Sequence, residues 1–373
     1  MKPALHIVEP TLAGFTGHCH SLVRALAAAA APDCEVTIWA GRGAVGAWDG
    51  AGALRPHFHR RWRRLQGFLL YRRLLHEPGR ILVATAGSTD LALAAWAAGR
   101  GAVVPAKVHF FVHWLGRKAG KAGLLSSIAR RQPNFEVLAP TATVAGFFTA
   151  CGFRATQVPY PVDDDGDGPA PPSAPLAPFR HLLVAGGARL DKGFDHIVEL
   201  VHEMKRCGLG LPVVVQASHS ERDAPAPEIA SAIERLRSAH YAGLSLLGGP
   251  LSPQAYRGLF DGAVVVQPYR AEDFRDRVSG VTLDALAAGC PVVVTAGTWM
   301  AAVAQRFDAG VATADLGAAG LLAAIESVVA DHARYAVNAR AAAVELNAVH
   351  SARRLIDAVL RPPPSSDAIR KTP

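Results

Sequence analysis

The sequence predicts an α/β protein built from two doubly wound, mostly parallel sheets, and three observations carry that prediction. Short apolar runs that read as strands alternate with stretches that read as helices over most of the chain. The alternation stops once, at Asp163–Pro178 (DDDGDGPAPPSAPLAP), an acidic segment rich in Pro, Gly and Ala, and resumes at Arg180. The length of 373 residues, half of them apolar, is ample for two cores. The expected organisation is a first domain over residues 1–163, a linker over 164–179, a second domain over 180–348, a C-terminal helix over 349–361 and a disordered tail over 362–373.

In the first half, strands are expected at Leu5–Val8, Glu35–Ala40, Ile81–Ala84, Val103–Val112, Glu136–Ala139 and Ala155–Val158. Helices are expected at His18–Ala30, Thr89–Ala98, Leu124–Arg131 and Ala142–Cys151, the last with Thr141 as its N-cap. The loop after the first strand, Glu9–His18, contains Gly14 and Gly17 but no Gly-x-Gly-x-x-Gly, so a dinucleotide site is weakly supported. In Lys107–Leu115 (KVHFFVHWL), strand alternation sets His109, Phe111 and His113 on one face. His113 then falls at the carboxyl end, where α/β sheets bind ligands.

His57–Arg73 (HFHRRWRRLQGFLLYRR) interleaves six arginines with Phe58, Trp62, Leu65, Phe68, Leu69, Leu70 and Tyr71. Such a segment suits either an amphipathic helix at an anionic membrane surface or a core-facing helix with a solvated basic face. A second basic stretch, Arg117, Lys118, Lys121 and Arg130-Arg131, lies in the same half, and the whole chain carries a formal charge of +8. No recognised nucleic-acid motif accompanies the charge, so nucleic acid is not an expected partner. The linker acids lack the spacing and terminal Glu of a calcium loop.

The second half offers strands near Leu182–Ala185, Pro212–Gln216, Leu244–Leu247, Val264–Gln267, Pro291–Val294 and Gly310–Ala312, with helices including Ile229–Ala239, Pro253–Asp261, Leu316–Val329 and Ser351–Leu360. Two turns in it carry chemistry. His181–Val201 (HLLVAGGARLDKGFDHIVELV) is a strand, a turn holding Gly187, Arg189 and Lys192, then a helix with Phe194, Ile197, Val198 and Val201 on one face. Cations in such a turn can meet a diphosphate, though an ordinary solvated turn also explains them.

Val264–Val294 (VVVQPYRAEDFRDRVSGVTLDALAAGCPVVV) is a strand, a charged loop, a helix opened by Ser279-Gly280-Val281 and a second strand. Free N–H groups at a helix start, with the positive end of the helix dipole, favour phosphate. Asp276 and Asp284 flank that start. Phosphate beside carboxylates that accept hydroxyl hydrogen bonds points to a sugar nucleotide.

These residues resemble the donor-site signature of the retaining, nucleotide-sugar-dependent glycosyltransferases of family four, which have the GT-B fold. There Glu, seven residues and Glu precede a small-residue helix ending Gly-x-Pro-Val-Val; here Asp276, seven residues and Asp284 precede Ala285–Ala288, then Gly289-Cys290-Pro291-Val292-Val293. Ala188–Gly193 (ARLDKG) is similar to the family's Gly-Arg, spacer and Lys-Gly. Both acids are one methylene shorter than the family's Glu, so their contacts must form from a closer backbone or through water.

The resemblance implies two Rossmann-like domains facing across a cleft, with the C-terminal helix returning to the first. It implies that Arg189 and Lys192 neutralise the leaving diphosphate, that Asp284 accepts from the ribose and Asp276 from the sugar, and that Gly17, His18 and His113 face the substrates. Transfer with retention to a carbohydrate or lipid-linked acceptor, in polysaccharide or glycolipid synthesis, is the implied reaction. No cofactor or metal is expected beyond the sugar nucleotide itself. A non-catalytic sugar-nucleotide-binding protein and a sugar-nucleotide epimerase of the same fold stay open as alternatives.

Five scattered cysteines without a Cys-x-x-Cys pair indicate neither a zinc site nor a disulfide framework. No stretch reads as a membrane span or a signal-peptide core. The expected location is therefore the cytoplasm, including the inner face of the membrane.

Overall fold

The computed structural model describes residues 2–14, 18–44, 46, 48–114, 121–161, 175–217, 226–249 and 251–362. Gly17, Arg117, Lys118, most of the expected linker and nearly all of the expected tail lie outside them. The chain divides into two compact units, residues 1–165 with 349–373, and residues 166–348.

The first unit runs β1 (Ala4–Glu9), α1 (His18–Ala30), β2 (Glu35–Gly41), β3 (Ala53–Phe58), α2 (Arg63–Leu74), β4 (Arg80–Val83), α3 (Ser88–Ala98), β5 (Val108–Phe111), α4 (Lys121–Arg131), β6 (Glu136–Ala139), α5 (Ala142–Ala150) and β7 (Arg154–Gln157). Its seven strands lie in the order β3-β2-β1-β4-β5-β6-β7, and the pairings are parallel. The order reverses between β1 and β4, as in a doubly wound sheet.

Val108 and Phe110 of β5 are wholly buried in one core cluster with Leu70, Leu91 and Leu125 from α2, α3 and α4. Thr141 caps α5, its hydroxyl accepting from the Val144 amide at 3.4 Å.

Three elements differ from the sequence reading. The strand expected from Val103 begins only at Val108, because Pro105 lacks a ladder donor and Ala106 takes φ +57°. The segment from His57 is not one helix: His57 and Phe58 end strand β3, Arg60–Trp62 make a single 3₁₀ turn, and α2 starts at Arg63. The helix expected to reach Asp261 ends at Gly258.

The second unit runs β8 (His181–Val184), α6 (Phe194–Arg206), β9 (Val213–Gln216), α7 (Pro227–Ser238), β10 (Leu244–Leu247), α8 (Pro253–Gly258), β11 (Ala263–Gln267), α9 (Ala271–Phe274), α10 (Gly280–Ala287), β12 (Val292–Thr295), α11 (Trp299–Phe307), β13 (Gly310–Thr313), α12 (Ala318–Ala330) and α13 (His332–Val349). Its six parallel strands lie in the order β10-β9-β8-β11-β12-β13.

Strand β11 is apolar at consecutive positions because both of its faces are covered. Val264 and Val266 pack with Phe194, Ile197 and Leu321, while Ala263 and Val265 pack with Ala285, Met300 and Ala304. At roughly 1.5–3 kcal/mol per fully buried valine-sized side chain, such a strand is pinned in register before any ligand contributes.

The last helix, α14 (Ala352–Leu360), belongs to the first unit and packs on α1. Arg353 pairs with Asp33, and the Arg80 guanidinium donates to the Arg361 carbonyl at 2.9 Å.

Candidate functional site

The strand order of the second unit reverses between β8 and β11, so the loops leaving their carboxyl ends stand side by side, at the switch point where doubly wound sheets take ligands. These are the two loops singled out in the sequence. Their approach is tight. The Arg270 amide donates to the Asp191 carbonyl at 3.0 Å, and Gly193, at φ +67°, lies so close to Pro268 that a Cβ there would overlap the Pro268 carbonyl oxygen. Glycine is required at 193 for both reasons.

Within the β8–α6 loop, the Gly186 amide donates to the Gln216 side chain at 2.7 Å, which anchors the loop to the end of β9. Gly186 has φ +94°, and a Cβ built on it would lie 2.6 Å from Lys192 Nζ and 3.6 Å from Val281 Cγ2. The Lys192 ammonium and the first turn of α10 therefore meet over this one glycine. Lys192 is half-buried, and its Nζ stands 5.4 Å from the centroid of the Tyr269 ring, whose face attracts a cation.

Helix α10 starts where the sequence places it. Ser279 is the N-cap, its hydroxyl accepting from the Thr282 amide at 3.3 Å and from Gln267 Nε2 at 3.2 Å. Thr282 Oγ1 in turn donates to Gln267 Oε1 at 2.8 Å. This buried triangle ties the helix start to the last residue of β11. Gly280 is exposed, and a Cβ there would meet nothing within 4 Å. Among the described residues no contact at the Cβ position dictates glycine at 280.

Asp284 lies one turn beyond Gly280 on the same exposed face, between the buried Leu283 and Ala285. Its Oδ2 accepts from the Tyr256 hydroxyl at 2.9 Å. Desolvation pushes its carboxyl up to about 6, partly offset by that hydrogen bond. The side chain still reaches solvent, so protein crowds it without sealing it off, and the full cost of a buried charge does not apply. Burial and the neighbouring Asp284 carboxylate together raise the Tyr256 phenol well above its ordinary value.

Arg189 is exposed and engaged: its guanidinium forks onto Asp191, with Nε to Oδ1 at 2.8 Å. Arg277 Nη1 approaches the same carboxylate at 3.8 Å. Asp191 thus holds cations from both loops. Asp276 is half-buried in the loop before α10, and Gly187 follows Gly186 without a left-handed φ.

Other expected site residues belong to the first unit. His113 lies two residues past β5, half-buried and stacked on Phe111 with ring centroids 6.2 Å apart. His109 is fully buried, 3.3 Å from Glu136, as a packing residue would be. His18 is the first residue of α1. Gly186, Tyr256, Tyr269 and the Gln267–Thr282 pair were not singled out in the sequence. Gly186 had a signal, the Gly-Gly pair; Tyr256 had none, since it lies 28 residues from Asp284 on another helix.

The second unit is a doubly wound sheet with a cation and a helix start at its switch point, the place where such sheets take anionic ligands. No family model matches the chain, and no curated protein matches it by sequence. Solved structures do match over its full length. A sucrose-phosphate synthase from Thermosynechococcus elongatus superposes with TM-score 0.70 at 14% identity, covering 96% of this chain and 98% of that one. HepE from Anabaena in complex with UDP-glucose gives TM-score 0.69 at 13% identity over 99% and 100%. A glycosyltransferase from Rickettsia africae gives 0.69 at 11% identity over the whole of both chains. The chain has the fold of the GT-B glycosyltransferases, in agreement with the resemblance read from its motifs.

Proposed function

We propose that this protein transfers a sugar from a nucleoside-diphosphate sugar to an acceptor hydroxyl, with retention of configuration and without a metal ion. The observation that carries the reading is the meeting of Lys192 and the α10 start over Gly186. Cleavage of the donor leaves negative charge on a diphosphate, and fixed donors aimed at that charge lower the barrier. Lys192 and the amides of Gly280 and Val281 supply such donors, and Arg189 adds a cation when its hold on Asp191 yields. Asp284 accepts from ribose hydroxyls and Asp276 from the sugar.

Gly17, His18, Gly187 and His113 keep the substrate-facing roles that the resemblance implies. A UDP-glucose complex among the structural neighbours supports UDP-sugars as the first donors to try. The acceptor class, carbohydrate or lipid-linked, and a place in polysaccharide or glycolipid synthesis follow from the resemblance.

Calorimetric titration with UDP and GDP, followed by product analysis with the matching sugar nucleotides, tests the proposal. Binding with transfer to an added acceptor supports it. Binding with an epimerised sugar redirects it to epimerisation, and binding without turnover to a non-catalytic role. Absence of binding to any nucleoside diphosphate ends it.

A further inference from the structure

We propose that the first unit carries a docking surface for an anionic lipid membrane, made by the Arg60–Trp62 turn, helix α2 and Trp96 of α3. Residues 50–76 hold seven arginines and no Asp or Glu. Every residue from Arg60 to Leu65 is exposed, as are Leu69, Arg72 and Arg73.

The exposed residues include large apolar groups. Trp62 is 60% exposed, Leu65 54%, Leu69 53% and Trp96 64%. Trp96 adjoins the segment through Phe68, with ring centroids 4.4 Å apart. The core does not explain them. Helix α2 buries a different stripe, Gly67, Leu70, Tyr71 and Leu74, and Leu65, Leu69 and Arg72 project from the opposite side at helical spacing.

Charge and apolarity on one outward face select among partners. A nucleic-acid backbone satisfies the arginines but leaves two leucines and two tryptophans in water. A headgroup layer over acyl chains satisfies both, since guanidinium groups meet lipid phosphates while Trp and Leu enter the acyl boundary. Six of the arginines, all but Arg55, share the Arg60–Trp62 turn and α2 with Trp62, Leu65 and Leu69, so charge and apolar groups are presented together. This surface stands apart from the second-unit switch point in sequence and chemistry, and the inference does not depend on the proposed reaction.

Flotation of the full chain with phosphatidylcholine vesicles, with and without phosphatidylglycerol, tests it. Binding is expected only with phosphatidylglycerol and is weakened by salt. Arg61→Ala with Arg64→Ala lowers partitioning roughly 25-fold, about fivefold per charge near an anionic surface. Trp62→Glu with Leu65→Glu abolishes binding while leaving the melting temperature and UDP binding unchanged. Vesicle binding should also blue-shift the tryptophan emission, and Trp62→Phe should reduce that shift.

No binding to phosphatidylglycerol vesicles at low salt overturns the proposal, and so does undiminished binding of both double variants. Association of the chain with itself or with duplex DNA that the same variants abolish, without vesicle binding, reassigns the surface to that partner and likewise overturns it.

Discussion

Replacing Gly186 with alanine separates the proposed anion site from the fold that holds it. The new methyl group would sit 2.6 Å from the Lys192 ammonium. The lysine end is flexible, so the overlap is relieved by moving the ammonium away from the α10 start rather than by displacing backbone. An alanine at φ +94° is strained by about 1–2 kcal/mol. In a unit of this size that lowers the melting temperature by about 2–8 °C. The displaced ammonium removes a charge-assisted hydrogen bond to phosphate, about 1.5–3 kcal/mol, so UDP binding should weaken roughly tenfold to hundredfold.

Gly208 provides the control. It has φ +66° at the end of α6, and a Cβ there meets nothing within 4 Å. Gly208→Ala therefore carries comparable backbone strain without touching Lys192, and should lower the melting temperature similarly while leaving UDP binding intact. Calorimetry and thermal melts on both variants are sufficient. The reasoning fails if Gly186→Ala binds UDP as tightly as the parent, or if Gly208→Ala loses as much affinity.

Gly193→Ala should be far more damaging, costing about 3 kcal/mol or more, because its Cβ overlaps the Pro268 carbonyl and backbone cannot swing away; a melting temperature near that of the parent would refute the loop contact. Lys192→Ala and Arg189→Ala should each cut sugar transfer by orders of magnitude with melting curves preserved, and near-normal turnover would remove either residue from the mechanism. Asp284 makes a pH prediction. Its carboxyl is raised in the folded state to about 6 from 3.8, so its penalty on stability is absent below about 4 and fully present above about 6. Asp284→Asn should then melt higher than the parent above pH 6 and match it near pH 4; an equal difference at both pH values would show that the carboxyl is not shifted. If the ionised carboxylate accepts from the donor, binding of the sugar nucleotide by the parent should also fall as pH drops through 6.

What the sequence made legible follows from how strongly each element is constrained. The middles of β8, β11 and β12 are buried, so apolar residues fill them and polar ones, His181, Gln267 and Thr295, fall only at strand ends; they read as short apolar runs. β3 escaped because it is an edge strand: of ALRPHF only Phe58 is buried, and Pro56 and Arg55 are tolerated where a ladder faces water. Helix α13 escaped for a different reason: half of its buried residues are alanine and two more are His332 and Arg340, a mix that marks no apolar periodicity. The site divides along the same line. Ser279, Gly280 and Lys192 act through local geometry, a cap, a helix start and a turn, and local geometry is written in consecutive residues. Tyr256 acts on Asp284, and Gln267 on Thr282, across the gap between elements, where only the strand order sets the distance. Gly186 lies between the two cases: the Gly-Gly pair announces a sharp turn, but not that the left-handed φ falls on Gly186, under the Lys192 ammonium. The proposed anion site is therefore a property of the β8–β11 adjacency as much as of its residues, and changes to that packing should reach Lys192 without touching it.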